Sequence, residues 1–159
     1  MSPEDCRKVR CPSLLKIAAD KGVAAAGFGM LEASQKDHLE RMAFLYNGPN
    51  GTIRVGQVYV GQVGGMNPAP EAPNDAIGSI HTHPDETKGD PATGQGPVPG
   101  SPPSGDDAAY AEQNHINGVV EATPARYFTP WNRPSGYHAV PRSAEEQQRL
   151  REDLKERPQ

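Results

Sequence analysis

Between residues 84 and 103 the chain carries six prolines and four glycines in twenty positions. Proline fixes φ and has no N–H to offer a ladder, while glycine loses the most backbone entropy on ordering. Neither a helix nor a central strand survives that composition, so the stretch predicts a long surface loop. The fold must be assembled from the two flanking segments and must tolerate this excursion between them. The whole chain has 159 residues, which suits one domain with a single core over residues 1–159. Its 17 glycines and 17 prolines stay below the roughly 25–30% share of low-complexity chains. A true core interrupted by loops is expected.

The flanking segments alternate helical and strand patterns. Ser13 can cap a first helix through Leu14, Leu15, Ile17 and Ala18, with an interruption at Lys21-Gly22. A second helix is predicted from about Ala24 to His38, with Phe28 and Leu31 on one stripe. RMAFLYN (41–47) reads as a strand ending in the turn Gly48-Pro49-Asn50-Gly51. TIRVGQVYV resumes strand character, and its apolar parity changes at Gly56-Gln57, which predicts a bulge. Residues 61–75 read as a loop and AIGSIHTH (76–83) as a further strand. After the proline-rich loop come a helix over 105–114, one or two strands in GVVEATPARYFTP, and a last strand in GYHAV. Ser143 and Glu146 form a capping-box pattern opening a polar helix over 143–156, whose apolar anchor must be small. The class is a layered α/β domain.

The formal net charge of −4 argues against the broad electropositive face that phosphate-backbone binding needs, so nucleic acid is not an expected partner. No apolar run approaches the ~18 residues of a spanning helix, and MSPEDCRKVR lacks the apolar stretch of a signal peptide. The expectation is a soluble protein without membrane contact, cytoplasmic or exported by a route that reads no such signal. Cys6 and Cys11 can close a small disulfide loop or remain two thiols near the terminus; unaided they cannot furnish a four-ligand zinc site.

Three segments can carry chemistry. In GSIHTHP (78–84), strand alternation puts His81 and His83 on one face. Two imidazoles side by side at a strand end can reach one metal ion, or they can be an exposed pair before a loop. In Ser104-Gly105-Asp106-Asp107, Ser104 is a natural N-cap and Asp107 the third helical residue. That is a capping box, and also a rigid mount for a carboxylate ligand beside a hydroxyl. Glu40 stands directly before MAFLY, where a helix-end glutamate is ordinarily solvated; its interest is a strand that can lie beside the histidine strand.

In this order the three segments resemble the JAMM metalloprotease superfamily, also called JAB or MPN-plus. Its pattern is a glutamate before a first strand, H-x-H-P, then S-x-x-D at a helix start. ERMAFLYNG is similar to the family's E-x-x-G-x-L-x-G, with Ala43 where glycine is common. The resemblance spans about residues 38 to 140 and implies a central mixed sheet flanked by helices. It implies that His81, His83 and Asp107 hold Zn²⁺, that Glu40 serves as the base toward water, and that Ser104 stabilises the oxyanion. The implied activity is that of a zinc peptidase or isopeptidase cleaving amide bonds in proteins, often at ubiquitin-like conjugates. TPWNRPSGYHAV (129–140) is also similar to JAB-like domains at the ends of bacterial polymorphic toxins, which would bring a target-cell protein as substrate and an inhibitory partner protein. The alternative is a metal-binding interaction module of the same fold without turnover.

One departure stands out: twenty residues separate His83 from Ser104, far more than the family's usual gap. Loop closure entropy grows only logarithmically, so the ligand geometry stays possible. The insertion can shape a substrate channel, act as a lid or be inert. Other H-x-H chemistries fit less well. HTHPDE offers Asp85 but Glu86 where a metallo-β-lactamase-type site wants a histidine, and 159 residues cannot build a barrel of about 250. Asp106 is turned about 100° from Asp107 and is read as solvent-facing or as a support behind the ligands. Glu71, in a proline-flanked loop, is a rival to Glu40. His115 and His138 read as surface or packing residues, Trp131 and Tyr137 as core or turn packing.

Overall fold

The computed structural model describes residues 14–86, 88, 92–94, 96, 98–132 and 136–154. Cys6, Cys11 and the predicted cap Ser13 lie outside the described residues. Helix α1 spans Leu14–Ala19 and α2 spans Lys21–Asp37. The break between them falls at Asp20, whose carboxylate accepts from Val23 N–H at 2.9 Å and caps α2. This is just ahead of the expected Lys21-Gly22, because the cap sets the boundary. Leu31 is fully buried on the inner stripe, whereas Phe28 is only half-buried, with the Arg142 and Arg149 guanidiniums over its ring at 5.8 and 5.5 Å. Gly27, unfavourable in a helix by propensity, is needed: a Cβ there would run into the Glu121 carboxylate.

His38 ends α2 in one step. It adopts the left-handed conformation (φ 63°) with its N–H bonded to Ser34 O at 2.7 Å. Strand β1 therefore begins at once and spans Leu39–Asn47. Glu40 lies inside this strand and is buried, correcting its expected position ahead of it. Strand β2 covers Ile53–Val63, β3 Ala76–His83, helix α3 Gly105–Asn114, β4 Asn117–Ala122, β5 Ala125–Thr129, β6 His138–Pro141 and helix α4 Ala144–Asp153. The pairing steps from Ala43↔Val58 to Leu45↔Val55, so β2 spends an extra residue at Gly56-Gln57, the predicted bulge.

The six strands form one mixed sheet in the order β2-β1-β3-β4-β5-β6. Neighbours are antiparallel except β3 and β4, which are parallel with α3 in the crossover between them. The class is thus α/β with a six-stranded mixed sheet flanked by helices. One face packs under α1 and α2 through Ile17, Val23, Met30, Leu45, Ile80 and Phe128. The other packs Met42, Phe44, Ala76 and Ile116 beneath Met66 and Tyr110. Helix α4 has both bonds of the Ser143–Glu146 capping box and is anchored by fully buried Leu150, joined by Leu154 just past its end. Among the described residues, no helix is long and apolar enough to cross a membrane.

The proline-rich segment departs from the expected surface loop at both ends. Asp85 is 2% exposed and Gly100 is buried. Glu86 N–H donates to Val98 O at 2.9 Å, which closes the base of the loop. Composition excludes regular structure there, but it does not exclude burial of the stem against the sheet.

Candidate metal centre

Strand alternation delivers His81 and His83 to the face of the sheet opposite α2, with ring centroids 4.9 Å apart. The β1–β3 register pairs Met42 with His81, and Glu40, two residues earlier on β1, points to the same face. Helix α3 begins over that face, and its first turn supplies Asp107. The capping box holds the carboxylate rigidly: Asp107 Oδ2 accepts from Ser104 N–H at 2.7 Å and from Ser104 Oγ at 2.9 Å, while Asp107 N–H donates to Ser104 Oγ at 3.2 Å. Both readings of Ser104-x-x-Asp107, cap and ligand mount, describe the same geometry.

The two rings sit between two carboxylates. His81 Nδ1 is 2.9 Å from Asp107 Oδ1, and its Nε2 is 2.6 Å from Glu40 Oε1. The latter contact is off the ring's N–H direction, so Nε2 is buried without a directional hydrogen bond. His83 Nδ1 is 2.8 Å from the Ser101 carbonyl, which can only accept, so Nδ1 carries the proton. Its Nε2 is therefore bare in the neutral ring, 3.2 Å from Asp107 Oδ2 and 3.8 Å from Glu40 Oε1. Lone pairs and carboxylate oxygens converge, which is unfavourable until a cation joins them. One donor atom each from Glu40, His81 and His83 lies within 4.8 Å of the others, so this buried group could hold a metal ion.

Burial works against a charged His81 ring, yet the Asp107 and Glu40 carboxylates outweigh it and push its pKa up to about 9. Burial also opposes ionisation of Asp107, but the His81 and His83 rings beside it prevail and hold the carboxyl well below its usual range. Without a metal, a proton on His81 takes part of the cation's place.

These residues line a cleft of about 670 Å³. Its walls are α3 on one side, with Tyr110, and the β2–β3 loop on the other, with Met66 and Asn67. Tyr110 OH donates to Pro70 O at 2.5 Å and ties the walls together. All five residues singled out in the sequence, Glu40, His81, His83, Ser104 and Asp107, face this one cleft. Asp106 is exposed at its rim. Glu71 is exposed and is not among the cleft's lining residues, so it does not rival Glu40.

His115 caps the end of α3 with its ring 5.2 Å from that of buried Trp131, a packing role for both. His138 is exposed on β6, and Tyr137 is 41% exposed with its ring edge-on to Tyr127, at the surface rather than in the core. Sequence reasoning missed His38 and Ser101 and weighed Asp85 only for a metallo-β-lactamase-type site; all three also line the cleft. His38 gives no motif signal, because a left-handed cap is a conformation rather than a pattern. Asp85 and Ser101 sit in a stretch whose composition reads as loop. Comparison with protein-family models, with curated proteins and with solved structures returns no match for this chain.

Proposed function

We propose that this protein is a zinc-dependent hydrolase of the JAMM type, a peptidase or isopeptidase acting on amide bonds in proteins. The observation that carries this reading is the convergence of two imidazoles with the buried Glu40 carboxylate and the part-buried Asp107 carboxylate, with more lone pairs than protons to share. His81, His83 and Asp107 would hold the ion, the carboxylate being held ready by two Ser104 donors. When bound, Zn²⁺ supplies Lewis acidity that lowers the pKa of a water toward ~7 and polarises an amide carbonyl. Glu40, buried on β1, would accept a proton from water and return it to the leaving amine. The Ser104 hydroxyl would turn from Asp107 toward the substrate oxygen, a donor of the kind whose loss commonly costs about 10²–10³ in rate. The open cleft beside Tyr110 and Met66 suits an extended polypeptide, such as the tail of a ubiquitin-like conjugate or a segment of a target-cell protein. A protein that occupied the same cleft would be the inhibitory partner.

The test is a pair of variants, each measured for zinc content and for hydrolysis of fluorogenic peptides and ubiquitin-like isopeptide conjugates. Glu40→Gln should retain zinc and lose activity by orders of magnitude, whereas Asp107→Ala should lose zinc. If Glu40→Gln loses zinc and Asp107→Ala keeps it, the ligand and the base are exchanged. A wild-type protein that takes up zinc but hydrolyses none of these substrates leaves a metal-binding interaction module.

A further inference from the structure

Asp85 is a carboxylate with almost no exposure, 2%, and its bonding partners are neutral. Its Oδ1 accepts from Gly100 N–H at 3.0 Å and from Thr123 Oγ1 at 2.5 Å, and its Oδ2 accepts from Gln35 Nε2 at 3.0 Å. Its own N–H donates to Gln35 Oε1 at 2.7 Å, and Gln35 Nε2 reaches on to Leu150 O at 3.0 Å. Asp85 thus ties together α2, the β4–β5 turn and both ends of the proline-rich loop, and Gln35 extends the link to α4. Burying a carboxylate on neutral donors costs stability that an apolar residue would not lose. The arrangement calls for a role other than stability.

That role lies one residue further on. Gly100 is seated against the His83 backbone so closely that a Cβ would collide with the His83 carbonyl oxygen. Its neighbour Ser101 presents its carbonyl to His83 Nδ1 at 2.8 Å and its hydroxyl at 3.3 Å. We infer that Asp85 is a positioning residue: by pinning Gly100 it holds the Ser101 carbonyl against His83, which keeps the ring in the Nδ1–H tautomer and turns the Nε2 lone pair toward Glu40 and Asp107. This deepens the metal reading and rests on it for its purpose. Backbone carbonyls that orient a ligating histidine in this way commonly matter 10–100-fold in metal affinity. The long gap between His83 and Ser104 then has a purpose at its two ends, whatever lies between them.

The experiment reads the tautomer directly. Long-range ¹⁵N–¹H spectra of the metal-free protein identify which His83 nitrogen carries the proton, and Co²⁺ titration gives the affinity. Wild type should show the Nδ1–H form. Asp85→Ala should show a mixture with the Nε2–H form and bind Co²⁺ 10–100-fold more weakly. Asp85→Asn keeps the volume but sets an amide donor against Gly100 N–H or Gln35 Nε2, and it reads the same quantities if the alanine variant does not fold. A wild-type Nε2–H form, or a variant with unchanged tautomer, overturns the inference; so does a changed tautomer with unchanged Co²⁺ affinity. A wild-type protein that binds neither Co²⁺ nor Zn²⁺ overturns the metal reading, and the tautomer comparison still decides the role of Asp85.

Discussion

His81 is the residue on which the electrostatics of the cleft turn. Its ring faces a carboxylate at each nitrogen, 2.9 Å to Asp107 and 2.6 Å to Glu40. A neutral imidazole leaves one carboxylate facing a bare nitrogen, whereas an imidazolium places positive charge between the two. With a pKa raised to about 9, the metal-free ring carries its proton at neutral pH, and a metal must displace it. Zinc uptake at pH 7.5 should therefore release about one proton from His81 in addition to any from zinc-bound water, measured with a pH indicator in weak buffer; no release would remove His81 from the ligand set. The folded-state value lies above the unfolded one, so the proton's contribution to stability is complete below about pH 6.5. It is lost as pH rises through about 9. Thermal melts of the metal-free protein should fall across that window, and those of the zinc-loaded protein should fall less. The pairing of His81 with His83 was legible from strand alternation alone. Their encounter with Glu40 and Asp107 was suggested by the order of motifs, and only the sheet register and the crossover helix bring it about.

At the scale of elements, the outer strands and α4 are held by a buried ion network on the face away from the cleft. Glu121 of β4 is fully buried and receives Arg142 Nη2 at 2.5 Å and Arg126 Nε at 2.9 Å. Arg142, just ahead of α4, also donates to Ala122 O at 2.7 Å. Removing Arg142 leaves Glu121 Oε2 buried without its partner, with Arg126 still on Oε1. Arg142→Met should destabilise the protein by about 3–5 kcal/mol in denaturant unfolding, while metal bound per folded molecule stays unchanged. A loss of metal without a loss of stability would mean that the two faces of the sheet are coupled. Both helix caps at Ser104 and Ser143 were readable because a capping box is a local pattern of four residues. The start of β1 was not, since His38 ends α2 with a backbone conformation that no side-chain periodicity announces.

The whole molecule is a sheet with helices α1, α2 and α4 on one face and a walled cleft on the other, and the proline-rich segment joins the cleft from the side. Its stem is closed twice, by Glu86 N–H to Val98 O at 2.9 Å and by Gly100 N–H to Asp85 at 3.0 Å. Among the described residues of the loop, those that line the cleft are Pro84, Asp85, Glu86 and Ser101, all in the stem. Replacing residues 87–97 with a short glycine turn should leave zinc affinity within a few-fold of wild type, since closing a shorter loop changes the entropy by only about 0.6 kcal/mol per halving of length. Isothermal titration checks this. A collapse of affinity would show that the distal part of the loop, not its stem, supports His83.

By itself the amino-acid sequence determined what short-range physics can carry. Alternation put two imidazoles on one face, a capping box made Asp107 rigid, a parity change marked the bulge in β2, and ten prolines and glycines in twenty positions excluded regular structure between the motifs. The tertiary structure alone decided which carboxylates face those rings and why a loop residue such as Asp85 is buried. Such contacts join residues as far apart as Gln35 and Asp85. They depend on strand order and on the path of the β3–β4 crossover, for which no local pattern of side chains encodes a distance.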